Sequence, residues 1–450
     1  MTRFDQPADV ATQLLDAVRA ISPTDAEVYL LSKTSMAVAA KDGQIDQVRR
    51  NDELGAALRV IDQGKMGFAY TANFSPSALK RAAELAVQAS KVADREEFLS
   101  LPGPPDSPWP TVPEPDTNAD KIQDQERFDR ALALESEARQ YDSRIERVRQ
   151  AEYREARYTV LLCNSRGLSH EYSGSVFSAG ISVKAVQGDD AEMGSEGDFS
   201  IYYNDLDVKR IGREAARRAV ESLGGRKAAT GVVPVIFENR VVAGLLDLLS
   251  SAFLADQVSK GKSRLAGQLG KQVMSEHVTL VDDGLYPGGL GTSPADGEGL
   301  PAQRTVLIDK GVLTSYLYDL AQAKKDNTAP TGNSARAGFK APPTIGTTNI
   351  LLSKGTAELK DLCAGIDQGF LVTDALGMHT ANPITGDFSI GASGHWIEHG
   401  RLSYPVKGMA LAGNLWDMVR HIIGVGSDFR LFGSVGASSV LVDRLTLSGQ

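Results

Sequence analysis

Residues 369–415 read GFLVTDALGMHTANPITGDFSIGASGHWIEHGRLSYPVKGMALAGNL, combining strand-like alternation, glycine turns and three of the six histidines. Metal chemistry in this chain would have to draw on them. The tempting pattern is His395-Trp396-Ile397-Glu398-His399, an H-x-x-E-H spacing used by one class of zinc peptidases. That spacing works on a helix, where positions i and i+4 share a face about 6 Å apart. The run before it, DFSIGASG at 387–394, holds two glycines and two serines and is poor helix material. Glu398-His399-Gly400 reads as a turn and Arg401-Leu402-Ser403-Tyr404-Pro405-Val406 resumes the alternation, so a hairpin is expected. On a strand rising ~3.3 Å per residue the two imidazoles lie roughly 13 Å apart, too far to share one zinc with bonds of about 2 Å. The segment therefore reads as a strand with a histidine at each end. The alternative is an independent metallohydrolase using His395, Glu398 and His399, with His379 nearby.

Working outward, 450 residues leave room for two or three domains with ample cores. A net charge of −9 and the lack of any dense Lys/Arg block argue against a nucleic-acid surface. No stretch approaches the roughly 18 apolar residues of a membrane helix. The N-terminal MTRFDQPADVATQLL has acidic residues and no apolar core, so it is not read as a signal peptide. Two cysteines, Cys163 and Cys363, exclude a disulfide framework and point to a cytoplasmic protein with reduced thiols.

The predicted fold class is α+β: meander-plus-helix units followed by a largely antiparallel, β-rich C-terminal domain. An opening helix spans residues 9–21, with Leu14, Val18 and Ile21 inward. Strands with turns at Asp42-Gly43 and Gln63-Gly64 follow to about residue 72. A helix begins at Ser75-Pro76 and repeats Leu79, Ala82, Ala83, Ala86 and Val87 on one face. Seven prolines between Pro102 and Pro115 forbid helix and ladder pairing and mark a semi-rigid linker. A helix from about residue 120 to 140, a second meander with strands near 158–163, 169–173, 177–186 and 198–203, and an Asp207-capped helix suggest a loose internal duplication. The expected divisions are 1–100, a linker at 101–118, 119–226 and 227–450. Late in the chain Leu415, Met418, Val419 and Ile422 suggest a helical face, with His421 solvated beside it.

Several enzyme signatures fail on their spacing. Gly261-Lys262-Ser263 resembles the end of a P-loop, but Asp256 stands where the first glycine belongs. There is no G-x-S-x-G, no H-E-x-x-H and no paired C-x-x-C. Asp296-Gly297-Glu298-Gly299-Leu300-Pro301 lacks the ligand spacing of a calcium loop and reads as a solvated turn. From residue chemistry alone the catalytic set is none.

DGEGLPAQRTVLIDKGVLTSYLY at 296–318, TGN at 331–333, GFLVTDALG at 369–377, NPITGDFSIGASG at 382–394 and AGNLWDM at 412–418 resemble the TldD/PmbA family, in its order. The resemblance implies a cytoplasmic heterodimeric metalloprotease of TldD-type and TldE/PmbA-type subunits acting on unfolded peptides. In the TldD type an H-E-x-x-x-H helix and a late cysteine hold the zinc. Here Leu246 and Ser251 stand where those histidines would, Asp247 stands for the glutamate, and no cysteine follows Cys363. The chain is thus similar to the TldE/PmbA half: no cofactor of its own, zinc in a TldD-like partner, and no direct contact with nucleic acid or membrane. It departs from the family's pattern at His395 and His399, where that pattern more often shows an aromatic residue and an asparagine. Sheet edges would suit peptide capture by strand addition. A protein-binding modulator of DNA gyrase is the rival reading.

Overall fold

The computed structural model describes residues 7–449. Helix α1 (Pro7–Ile21) turns Leu14 and Val18 into the core, while Ile21 stays 42% exposed. Strands β1 (Asp25–Lys41), β2 (Gln44–Asp62) and β3 (Lys65–Thr71) form the first meander, followed by α2 (Pro76–Val92). After the proline-rich segment come α3 (Asp124–Tyr141), β4 (Ile145–Asn164), β5 (Ser169–Gln187), β6 (Asp190–Ser200) and α4 (Val208–Glu221).

The two meanders form one antiparallel six-stranded sheet in the order β3-β2-β1-β4-β5-β6. Strand β1 pairs with β4 from Glu27–Asn164 to Ala40–Ala151, so the units at 1–100 and 119–226 are welded along their whole length. Their cores interpenetrate: Met36 and Val38 pack with α3 and α4, while Leu161 and Cys163 pack with α1 and α2. The duplication is visible in packing. A Cβ on Gly67 of β3 would lie 1.9 Å from the Ala86 carbonyl oxygen of α2, and one on Gly194 of β6 would lie 2.2 Å from that of Ala215 in α4. The same glycine lets the same helix sit against the outer strand in each half.

Strand β4 begins well before the predicted strand near 158, within the charge-rich run IERVRQAEYREA. Its charges are met across the sheet: Glu152 is buried and paired with Arg49 and Arg154. Cross-strand ion pairing satisfies side chains that hide the strand from a hydrophobic pattern.

The second half contains β7 (Gly231–Phe237), α5 (Asn239–Ser250), β8 (Leu280–Asp283), β9 (Arg304–Asp309) and β10 (Val312–Leu313). Then come β11 (Ser334–Ala335), β12 (Thr344–Ile345), β13 (Ile350–Leu352), β14 (Gln368–Leu376), β15 (Asp387–Glu398) and β16 (Arg401–Asn414). Strands β17 (Ile422–Val425), β18 (Arg430–Phe432), β19 (Val435–Ala437) and β20 (Val440–Ser448) complete it. One six-stranded sheet runs β10-β9-β8-β13-β19-β18, a second runs β16-β15-β14-β7-β20-β17 and closes on itself because β16 also pairs with β20, and β11 pairs with β12 in a two-stranded sheet. The result is a small barrel, with α5 beside it and a continuous core between them. The fold is α+β, with mostly antiparallel pairing apart from β7–β14 and β13–β19.

The three predicted turns, and a fourth at Lys310-Gly311, share one geometry. Asp42-Gly43, Gln63-Gly64, Lys310-Gly311 and His399-Gly400 all place both residues at positive φ, the two-residue hairpin turn that matches strand twist. The expected helical face at 415–422 is corrected: the helix is the single turn Leu415–Met418, and Ile422 starts β17. Pairing of Ile422–Val425 with β20 overrides the helical spacing. No helix among the described residues is long and apolar enough to cross a membrane.

Candidate functional site

Helix α5 follows β7 directly and buries Val241, Val242, Ala243, Leu245, Leu246 and Leu249. Leu246, at the first position that the resemblance assigns to a zinc ligand, is 6% exposed and belongs to the main core. Ser251, at the second, begins a short 3-10 turn and accepts the Leu254 amide at 3.3 Å through its carbonyl. Between them the Ser250 hydroxyl donates to the Asp247 carbonyl at 2.6 Å. Met378 covers the other side; a Cβ on Gly244 would meet its Cε at 2.9 Å. An alkyl side chain and a serine hydroxyl are not the thiolate and imidazole donors that hold zinc, so this donor set does not fit the metal. Among the described residues no group of three or more His, Cys, Asp or Glu side chains is arranged to hold a metal ion. Cys163 and Cys363 are buried in separate clusters, and burial raises both thiols, Cys163 to about 11.

The HWIEH segment is the end of a hairpin, as its turn chemistry implied. His395 lies on β15 opposite Leu371 and Pro405, and Glu398 closes the strand opposite Arg401. The His395 ring is half-buried, its Nδ1 has no hydrogen-bond partner among the described residues, and burial lowers its pKa. The charged groups acting on it are Glu221, Arg217 and Glu238, from the end of α4 and the start of α5. His399 instead stands in the turn at φ 48°, exposed, with Nδ1 2.7 Å from Asp367. Glu398 accepts from the Ser403 hydroxyl at 2.7 Å. The two imidazoles thus have different neighbours and different exposure. The side chain of His379 lies outside the described residues. His421 is held by its neighbours, with Nδ1 2.7 Å from the Asp417 carbonyl and Nε2 3.2 Å from Arg444.

The acidic turn at 296–301 is corrected most strongly. It is buried: Asp296 is 8% and Glu298 4% exposed. Asp296 accepts the amides of Glu298, Leu300 and Ser334 at 2.9, 3.0 and 3.1 Å. Glu298 reaches the six-stranded sheet, where Arg59 of β2 donates to it at 3.0 Å and to Glu27 of β1 at 3.1 and 2.7 Å. Arg336 completes the network, pairing with Glu27 and donating to the Gly297 carbonyl at 2.6 Å. The turn is a plug that seats the C-terminal half on the N-terminal sheet. A lone arginine within the apolar run GAALRVID and a lone glutamate in DAEVYLL were the sequence signals, because a buried charge requires a partner. Nearby, Asp282 accepts from Asn333 at 2.7 Å and from the Thr348 hydroxyl and amide at 2.6 and 2.8 Å, while burial pushes its carboxyl up to about 6.

Two motifs quoted from distant stretches meet at one end of the barrel. Asn382 accepts the amides of Ile384 and Thr385 at 2.9 and 3.1 Å. Asn414 donates to the Thr385 carbonyl and to Asp387, both at 2.8 Å. Gly386 takes φ 84° against Trp416. This bonding accounts for Asn382, Thr385 and Asp387 as a tight turn.

Two strands that could take up a peptide by edge pairing, β16 and β6, are partly occupied. Barrel closure consumes part of β16, and Arg226 bonds to the Pro405 carbonyl and the Lys407 amide further along it. On β6, Arg240 and Arg430 donate to the outward carbonyls of Ser195 and Gly197 at 2.9 Å each.

Comparison with known proteins agrees with this architecture. Residues 26–90, 117–223 and 230–449 match domain 1, the central domain and the C-terminal domain described for PmbA/TldA metallopeptidases. The metalloprotease PmbA of Escherichia coli O157:H7 is 28% identical over 94% of this chain and 92% of its own length. A TldD metalloprotease homologue of Haemophilus influenzae is 25% identical over 98% of this chain and 97% of its own. A Thermotoga maritima crystal structure, whose description proposes a modulator of a DNA gyrase, superposes with a TM-score of 0.89 at 25% identity, over 97% of this chain and 100% of its own. TldE of Thermococcus kodakarensis shares the fold, with a TM-score of 0.86 at 22% identity over 98% of this chain and 100% of its own. With matched domains running from residue 26 to residue 449, the chain belongs to the PmbA/TldD metallopeptidase family.

Proposed function

We propose that this chain is the non-catalytic, TldE-like subunit of a cytoplasmic heterodimeric zinc metalloprotease that acts on unfolded peptides. The observation that carries the reading is the chemistry of α5. A chain aligned with metalloproteases along nearly its full length has a core leucine at 246 and a serine at 251, where the zinc-bearing type has histidines. A peptidase needs a polarising ion or an activated nucleophile, and Asp247 without a metal has no bound water to activate. The role left to this chain is architectural: to stabilise a zinc-bearing TldD-type partner and wall one side of the space in which the peptide lies.

The test is co-expression with an H-E-x-x-x-H sister chain, purification of the pair and metal analysis of each subunit after separation. The reading expects a stable pair whose zinc follows the sister. Zinc that remains with this chain and is lost on His395→Ala would replace it with the metallohydrolase alternative.

A further inference from the structure

Strand β1 alternates between the two faces of the six-stranded sheet. Val28, Leu30, Met36 and Val38 pack under the four helices, whereas Tyr29 and Leu31 lie on the other face with Phe339 and Trp109. The same alternation puts Ser35 and Ala37 on that second face, beyond its cover. Register extends each position into a row across the sheet. Asn51, Ser35, Ala156 and Val176 are neighbours on β2, β1, β4 and β5, and Arg49, Ala37, Arg154 and Ser178 form the next row. A cavity of 430 Å³ opens over these two rows and reaches Lys33, with no wall from the C-terminal half.

Arg49 and Arg154 stand on either side of Ala37, roughly 10 Å apart at the backbone for strands spaced about 4.8 Å. Both reach one carboxylate, that of Glu152, which lies one row further along, opposite Ala39 and Gly180. Arg49 gives it one nitrogen. Arg154 donates its Nε to the same carboxylate at 2.8 Å and adds a second nitrogen. Glu152 is 4% exposed although it lies on the uncovered face, because the two guanidiniums lie against it over a floor of small residues.

Two positive charges therefore share one negative charge. Lys33 adds a third cation, with no ion-pair partner among the described residues. Glu53, opposite Lys33 on β2, lies 3.9 Å from Lys340 instead. The Arg49 and Arg154 side chains remain 57% and 58% exposed, and among the described residues neither has an acceptor besides Glu152. A guanidinium presents five N–H donors in a fixed plane, so most of the donors in this pair are unspent. Glu152 holds the two forks in place and leaves them able to grip a second oxyanion. A carboxylate fits such a fork with two parallel bonds.

We propose that Arg49 and Arg154, positioned by Glu152, bind the carboxylate of an acidic side chain in an unfolded polypeptide. The proposal rests on the peptide-handling reading and gives it a preference: acidic segments over neutral ones. The chain as a whole carries a net charge of −9, and its long-range field opposes such a ligand. The preference therefore has to come from this local cluster, with Lys33 adding to the attraction.

The test uses the full chain without a partner and two short fluorescent peptides of alanine and glycine, one carrying glutamates and the other glutamines at the same positions. Anisotropy at low salt should show the glutamate peptide binding about tenfold tighter, with the difference fading as salt is raised. Arg49→Gln should weaken that binding about tenfold with an unchanged far-ultraviolet spectrum, since Glu152 keeps Arg154. Arg50→Gln is the control. It removes the same charge one residue away, on the helix-bearing face, where Arg50 pairs with Asp124, and should leave binding unchanged. Equal binding of the two peptides, or equal weakening by Arg49→Gln and Arg50→Gln, would overturn the proposal. So would saturable binding of inorganic phosphate, lost in Arg49→Gln, by a chain that binds neither peptide. Cleavage by the reconstituted pair is read separately: intact cleavage without the acidic preference rejects this site alone, and intact preference without cleavage rejects only the pairing.

Discussion

Replacing Arg59 by methionine removes the guanidinium that joins the two halves. The side chain is 4% exposed and donates three hydrogen bonds to Glu27 and Glu298, themselves 1% and 5% exposed. After the change Glu27 keeps Arg336, but among the described residues Glu298 keeps only the Leu320 amide at 3.1 Å. Breaking a buried ion pair from one side costs about 3–5 kcal/mol, because a charge is left without its partner. The surviving Arg336 contact places this case near ~3 kcal/mol. Since the chain holds more than one core, a single melting temperature is a poor readout. Hydrogen exchange read segment by segment is better. Amides in the 296–301 turn and in residues 54–60 should exchange faster by roughly two orders of magnitude, the equivalent of that free energy, while 387–398 in the barrel is unchanged. Arg59→Met/Glu298→Met should recover part of the loss, because the orphaned carboxylate is gone. A loss below about 1 kcal/mol, or acceleration spread evenly over the barrel, would refute the claim that this network seats the two halves.

Other expectations follow from the same packing. Gly194→Ala should cost about 1–3 kcal/mol by pushing α4 off β6. Gly180→Ala should be nearly silent in the same denaturant titration, since the nearest atom its Cβ would meet is 3.9 Å away. Asp282 holds its proton to about pH 6 in the folded chain, above the ordinary 3.8, so the folded state binds more protons across that interval. The stability from this group is therefore full below pH 3.8 and is lost as pH rises through 6, and Asp282→Asn should remove that slope from the curve of stability against pH. Hydrogen bonds from Asn414 and Thr385 hold the Asp387 carboxyl below its usual range. Asp387→Ala should loosen residues 382–387 in hydrogen exchange without affecting cleavage by the reconstituted pair. Lost cleavage at unchanged stability would instead put Asp387 against the substrate.

What the sequence disclosed was what local chemistry decides. The turn at His399-Gly400 and the helix start at Ser75-Pro76 each depend on a few neighbouring residues. Sheet closure was not legible, because it requires Ala410–Ala412 to meet Thr446–Ser448 across the chain. Nor was the fusion of the two meanders, made by β1 and β4 far apart in sequence. The acidic turn at 296 reads as solvated until Arg59 and Arg336 are brought to it from distant stretches. The helical spacing from Leu415 to Ile422 was real as a pattern, and strand pairing with β20 outweighed it. At the candidate site, Leu246 and Ser251 stand out only through the resemblance, and that Leu246 belongs to the main core came from the structure.

The most direct measurement of the central claim is cleavage of an unfolded peptide by the reconstituted pair, with each subunit's carboxylates disabled in turn. Neither chain alone should cleave, and the mixture should. Glutamate→Gln in the sister's H-E-x-x-x-H helix should abolish cleavage, while Asp247→Asn and Glu398→Gln in this chain should leave it intact. Chelator-sensitive cleavage by this chain alone, lost on Glu398→Gln, would contradict the account.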